Sequence, residues 1–84
     1  MTRFDKKYDC KIKIEKAKKF ITNNRYEEAK QILEYCYQYY DDEHLNEEKL
    51  KLLLVLIEVH QNLKEIELVK FYLEEYEEIA FRIN

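Results

Sequence analysis

The sequence predicts an all-α fold of four helices arranged as two antiparallel helical hairpins, and three observations lead to it. One spacing is written twice: Ala17-x2-Phe20 then Tyr26-x2-Ala29-x3-Leu33, and again Ile57-x2-His60 then Ile66-x2-Val69-x3-Leu73, with a short polar turn inside each copy. The 84 residues include no Gly and no Pro, against a usual ~7% and ~5%, so the residues that punctuate strands, tight turns and phosphate-cradling loops are missing. The abundant Lys, Glu, Leu, Ile and Tyr favour helices over a sheet of short strands. With 46% apolar and 14% aromatic residues, the chain has enough to fold as one domain over residues 1–84 around a small core.

Helix one is predicted over about Lys6 to Thr22, because Cys10, Ile14, Ala17 and Ile21 recur at helical spacing with Phe20 beside them. Asn23-Asn24-Arg25 is the only polar break before the next periodic run, and Asn tolerates the left-handed conformation that ends helices. Helix two, about Arg25 to Tyr40, has an inner stripe of Tyr26, Ala29, Leu33, Cys36 and Tyr40, with Ile32, Tyr35 and Tyr39 beside it. The first hairpin thus covers about 6–40. Residues 41–46 read as the main linker, ending at Asn46 as an N-cap before Glu47 and Glu48. The second hairpin covers about 47–83. Helix three, to about Gln61, is apolar all round from Leu50 to Val59, which marks a buried helix. After a turn near Asn62 to Lys64, helix four has Ile66, Val69, Leu73, Tyr76, Ala80 and Ile83 on the face predicted to point inward, with Leu68, Phe71, Tyr72 and Ile79 off it.

A register test supports both hairpins, because facing residues of an antiparallel pair have position numbers with a nearly constant sum. Phe20 with Tyr26, Ala17 with Ala29 and Cys10 with Cys36 share one sum, and Ile14 with Leu33 is one off it. His60 with Ile66, Ile57 with Val69, Leu53 with Leu73 and Leu50 with Tyr76 share another.

These residues resemble the tetratricopeptide repeat, in which a small residue three before an aromatic on the first helix meets an Ala-x3-aromatic pattern on the second. Ala17 and Phe20 match the first part, and Ala29 with Leu33 the second, with Leu in the aromatic place. The family's Trp and Leu places fall on Lys13 and Lys16, no Pro closes the repeat at Asp41, and Ile57 and His60 replace the small and aromatic residues of the second copy. Equivalent positions are forty residues apart, against ~34 in the family, which places about six extra residues in the linker. The resemblance implies stacked hairpins that hold another protein. Such repeats usually need at least ~3 copies to bury their faces. The spare surface is therefore expected to meet a second copy, a larger partner, or its own chain in a closed four-helix bundle. A homodimer through helices two to four is the first expectation.

Little points to chemistry. Cys10 and Cys36 face each other, but most packed helices keep Cα atoms beyond disulfide reach, so two small core residues are expected. No His-x3-His, Cys-x2-Cys or His-Glu-x2-His spacing occurs, there is no Ser, and Glu74, Glu75, Glu77 and Glu78 read as a solvated face. The expectation is therefore no enzyme, no metal and no cofactor. Leu52 to Ile57 is far short of the ~20 residues of a membrane helix, and the N-terminus lacks a signal-peptide core. No membrane contact and a cytoplasmic location are expected.

Charge is two-sided. Residues 1–25 have nine Lys or Arg against three acids, while residues 26–84 have six against fifteen. Arg3, Lys6, Lys7, Lys11, Lys13, Lys18 and Lys19 either form a basic face for an acidic protein or nucleic acid, or neutralise acidic neighbours. Only Phe4 and Tyr8 are aromatic near that patch, and the net charge is −3, which favours a protein over nucleic acid as partner. The expected function is a small non-catalytic interaction module, acting by stoichiometric binding as an adaptor, chaperone or inhibitor of a larger protein. Its expected apolar anchors are Tyr35, Tyr39, Leu68, Phe71 and Tyr72, with Lys11 and Lys18 steering an acidic partner. The alternative is a helical regulator that contacts nucleic acid through helix one.

Overall fold

A computed structural model describes residues 5–83, so Arg3 and Phe4 of the expected basic patch lie outside the described residues. The chain is all-α: helices α1 (Lys6–Thr22), α2 (Tyr26–Asp42), α3 (Asn46–Asn62) and α4 (Ile66–Ile83), with no strand among the described residues. Successive helices start twenty residues apart. The first three are each 17 residues long, about 25 Å at 1.5 Å per residue.

The period comes from one turn used three times. Asn24, His44 and Lys64 each adopt a positive φ, of 61°, 56° and 63°. One residue later, the N–H groups of Arg25, Leu45 and Glu65 donate to the carbonyls of Phe20, Tyr40 and His60, at 2.8, 2.9 and 2.9 Å. The N–H groups of Asn24, His44 and Lys64 close the inner bonds to Ile21, Asp41 and Gln61. This is the Schellman motif, which satisfies the last carbonyls of a helix through a left-handed residue. The motif normally adds a side-chain contact across its ends. Here the first turn sets the Arg25 guanidinium 4.8 Å from the Phe20 ring centroid, and the third sets Glu65 Oε1 2.7 Å from His60 Nδ1.

Two sequence expectations change as a result. Residues 41–46 are not an enlarged linker: α2 continues to Asp42 and the turn is as short as the others, because a polar helix end reads like a loop in sequence. Asn46 is the first residue of α3 rather than its cap, and Leu45 stands at the cap without a side-chain hydrogen bond. α1 has a side-chain cap, with Asp5 accepting from the N–H groups of Lys7 and Tyr8, whereas α2 and α3 start without one.

Each helix packs on its neighbours in sequence, α1 on α2, α2 on α3 and α3 on α4, and α1 and α4 form no packed pair among the described residues. The stack is a slab of 45 × 34 × 16 Å, open rather than closed into a bundle. Its core joins Cys10 and Ala17 of α1, Ala29, Leu33, Cys36 and Tyr40 of α2, the inner leucines of α3, and Tyr72 and Ile79 of α4. The first hairpin takes the predicted register: Cys36 Sγ lies 3.8 Å from the Cys10 carbonyl oxygen, and Ala17 and Ala29 are fully buried. Small residues there allow the two backbones to approach closely.

The second hairpin repeats the turn of the first, but no helix packs on the far side of α4 among the described residues: Val69 and Tyr76 of the expected inner stripe are partly buried against the core, Ile66, Leu73 and Ile83 are exposed, and Tyr72 and Ile79 are buried. His60 stacks on Tyr72, with ring centroids 5.2 Å apart, instead of meeting Ile66. α3 is not buried all round, since Glu47, Lys51, Leu54, Glu58 and Gln61 form an exposed face, and α2 also reaches α4: Tyr37 packs edge-on against Tyr72 at 5.4 Å and its hydroxyl donates to Glu75 at 3.1 Å.

The left-handed turns generate a prediction. An L-residue in this conformation costs ~1–2 kcal/mol, and Gly adopts it freely at a loss of ~0.5–1 kcal/mol in unfolded-state entropy. His44→Gly and Lys64→Gly should each raise stability by roughly 0.5–1 kcal/mol in urea titrations. Asn24→Gly should change it less, because Asn already tolerates the conformation.

Candidate functional site

A groove where apolar and basic side chains meet runs between α1 and α3 over α2, with a volume of about 320 Å³. Its floor is Ile14, Leu52 and Val55 with the Tyr40 ring between them, and its rims have Lys11, Lys18 and Lys51 against Glu15 and Glu48. The helical period explains the composition. Lys11, Ile14 and Lys18 are three and four residues apart and lie on one face of α1, as Glu48, Lys51, Leu52 and Val55 do on α3.

Charge pairing leaves much of α1 free. Lys7 bridges to Glu48 of α3 at 3.4 Å, and Lys13 and Lys18 pair within α1 to Asp9 and Glu15. A backbone hydrogen bond, followed by Lys7 and Lys11, holds the Glu48 carboxyl below its ordinary range. Lys11, Lys16 and Lys19 are exposed and form no ion pair among the described residues. Among the described α1 cations Lys7 makes a direct ion pair to another helix, Lys11 lies near enough to Glu48 to act on it, and a basic face remains at Lys16 and Lys19.

The expected apolar anchors do not share one surface. Tyr72 is buried at 6% exposure, held between His60, Tyr37 and Phe71. It is a core residue and not an anchor, because the rings of Tyr37 on α2 and His60 on α3 cover it. Phe71 is 52% exposed beside it, and Leu68 is half-buried. Tyr37 faces α4, and residues two apart on a helix point nearly opposite ways, so Tyr35 and Tyr39 face away from α4. Tyr35 is exposed under the Lys13 ammonium at 5.8 Å, and Tyr39 is half-buried against Tyr40.

A polar junction inside the stack escaped the sequence reading. Lys49, only 5% exposed, pairs with Asp41 of α2 at 2.5 Å and Glu75 of α4 at 2.6 Å. Burial alone would lower its pKa, but the two carboxylates outweigh this and raise it. At the far end of α3, His60 is fully buried, with Nδ1 on Glu65, whose second oxygen takes Lys30 of α2 at 2.8 Å. His60 Nε2 has no hydrogen-bond partner, and Glu34 Oε1 stands 3.6 Å from it. The available signal was Lys49 itself, which precedes the buried Leu52 and Leu53 by three and four residues and so shares their face.

Cys10 and Cys36 are both free and buried, and burial, with Cys10 alongside, pushes the Cys36 thiol up to about 12. That holds it as an unreactive thiol. Among the described residues no group of three or more His, Cys, Asp or Glu is placed to hold a metal ion, and no helix is long and apolar enough to cross a membrane. Comparison with protein-family models, curated proteins and solved structures gave no match.

Glu65 generates a pH prediction. Lys30, and then His60, hold its carboxyl below the ordinary 4.5. A depressed folded pKa contributes stability that is complete above the unfolded value and is lost as pH falls through the folded one. Glu65→Gln should therefore flatten part of the decline in urea midpoint below pH 4.5 relative to the parent chain.

Proposed function

We propose that this chain is a non-catalytic, cytoplasmic protein-interaction module that binds a larger protein stoichiometrically, as an adaptor, chaperone or inhibitor. The reading is supported by one observation above the others: lysines on both rims of the α1–α3 groove stand over an apolar floor of Ile14, Leu52 and Val55. A partner segment that alternates apolar and acidic side chains fits that combination, its apolar side chains buried on the floor and its carboxylates meeting Lys11, Lys18 and Lys51. The resemblance of the hairpins to tetratricopeptide repeats supports the same class of function. Two free buried thiols suit a reducing compartment.

A second reading, a regulator that contacts nucleic acid through α1, is favoured by the exposed, unpaired Lys11, Lys16 and Lys19. Salt separates the two. Phosphate binding falls steeply between ~50 and 200 mM salt because neutralised phosphates release counterions, whereas a contact with an apolar floor declines little.

The test is selection of peptides from a displayed library on the parent chain, followed by titration of the selected peptides at about 150 mM salt. Acidic-apolar sequences are expected, with affinity lost by about tenfold or more in the Lys11→Glu, Lys18→Glu double variant. Both lysines are exposed, so the circular dichroism of the variant should match the parent. Peptides without acidic residues, or affinity unchanged by the double variant, would overturn the reading. Oligonucleotide binding with a steep salt dependence would put the second reading in its place.

A further inference from the structure

α4 has two apolar stripes, one buried and one covered only in part, with Val69 and Tyr76 touching the core. Tyr72 and Ile79 are buried in the stack. The other stripe, Ile66, Val69, Leu73, Tyr76, Ala80 and Ile83, alternates spacings of three and four along the whole helix, the a/d pattern of a coiled-coil seam. None of the six is buried, and Ile66, Leu73 and Ile83 are 63%, 42% and 45% exposed. On α2 the equivalent positions forty residues earlier include Ala29, Leu33, Cys36 and Tyr40, all at 0–2% and sealed by neighbouring helices. α4 therefore presents a seam whose outer side, at Ile66, Leu73 and Ile83, has no helix on it among the described residues.

The occupant follows from what the chain offers. Head-to-tail stacking would bring α1 of another copy onto α4, but α1 lacks the matching face. The positions that in α3 are the buried Leu52, Leu56 and Val59 are in α1 the exposed Ile12, Lys16 and Lys19. Covering α4 with them would bury two lysines. α4 of a second copy, laid antiparallel about a twofold axis near Leu73, pairs Ile66 with Ile83, Val69 with Ala80 and Leu73 with Tyr76. The flank of the seam away from α3 has the exposed Lys70 and Glu77. In the antiparallel arrangement, Lys70 of each copy lies beside Glu77 of the other, giving two opposite-charge pairs. Phe81, the most exposed large apolar side chain at 86%, is then carried toward Ile66 of the second copy. A parallel arrangement would instead set the charged flank against α3 of the other copy.

We infer that a second copy of this chain docks on the outer seam of α4, helix to helix and antiparallel, to form a closed twofold dimer. The contact lies at the opposite end of the stack from α1 and is independent of the groove reading.

Sedimentation equilibrium of the whole chain at low salt tests the inference. The parent is expected to show a concentration-dependent shift from monomer to dimer mass. Leu73→Glu should remain monomeric, with unchanged helical circular dichroism because Leu73 lies outside the core. Lys70→Glu should weaken the dimer by about tenfold, the scale of two surface ion pairs turned into like-charge pairs. Lys70→Glu combined with Glu77→Lys should restore it. A parent that stays monomeric or grows past a dimer, a Leu73→Glu variant that still dimerises, or a double swap that fails to recover would each overturn it.

Discussion

Each of the three turns needs one residue in the left-handed conformation, and the chain has no glycine to supply it. Asn24, His44 and Lys64 take the place instead, at ~1–2 kcal/mol each. Two backbone hydrogen bonds per turn offset that cost, helped by contacts such as Arg25 on Phe20 and Glu65 on His60. Because the turns are identical, α1 and α3 share one phase and α2 and α4 the other. The groove between α1 and α3 and the outward stripe on α4 are both products of that repetition. A turn one residue longer would rotate the following helix by about 100° and remove them.

α3 is buried between two neighbours and so has to be located by something other than its leucines. Lys49 near its first turn and His60 near its last do this. Lys49 takes a carboxylate from α2 and one from α4, and His60 is flanked by Glu34 of α2 and Glu65 just before α4. Buried pairs of this kind add little net stability against an apolar replacement, but breaking one partner costs ~3–5 kcal/mol. A slip of α4 by one helical turn would strand Lys49 from Glu75, and with it Tyr37. The junction thus selects one arrangement among several that the apolar residues alone would tolerate.

The first hairpin was legible because its contact residues are small. Ala17, Ala29, Cys10 and Cys36 admit one close apposition, and the double Asn marks its turn. The second repeats the same turn, but the extent of burial on α4 was not legible: it offers two apolar stripes, and Tyr72 is covered through Tyr37, whose hydroxyl bonds Glu75 across 38 residues of sequence, while much of the other stripe stays exposed. Placement of the site divided the same way. Lys11 and Lys18 come from one periodic face and line the groove as neighbours. Tyr72 reads as a surface aromatic in sequence, but Tyr37 and His60, distant from it along the chain, bury it.

The packing of each helix mainly on its sequence neighbours also sets how the chain comes apart. Most helix contacts close short loops, so little loop entropy opposes assembly and folding should be quick for a domain of this size. Stability then behaves as a sum of helices and the seams between them rather than as one indivisible core. α1 meets the rest mainly through α2, so it can detach and return while the junction around α3 stays intact. Under tension applied at its ends the molecule would peel from its edges inward, one helix at a time.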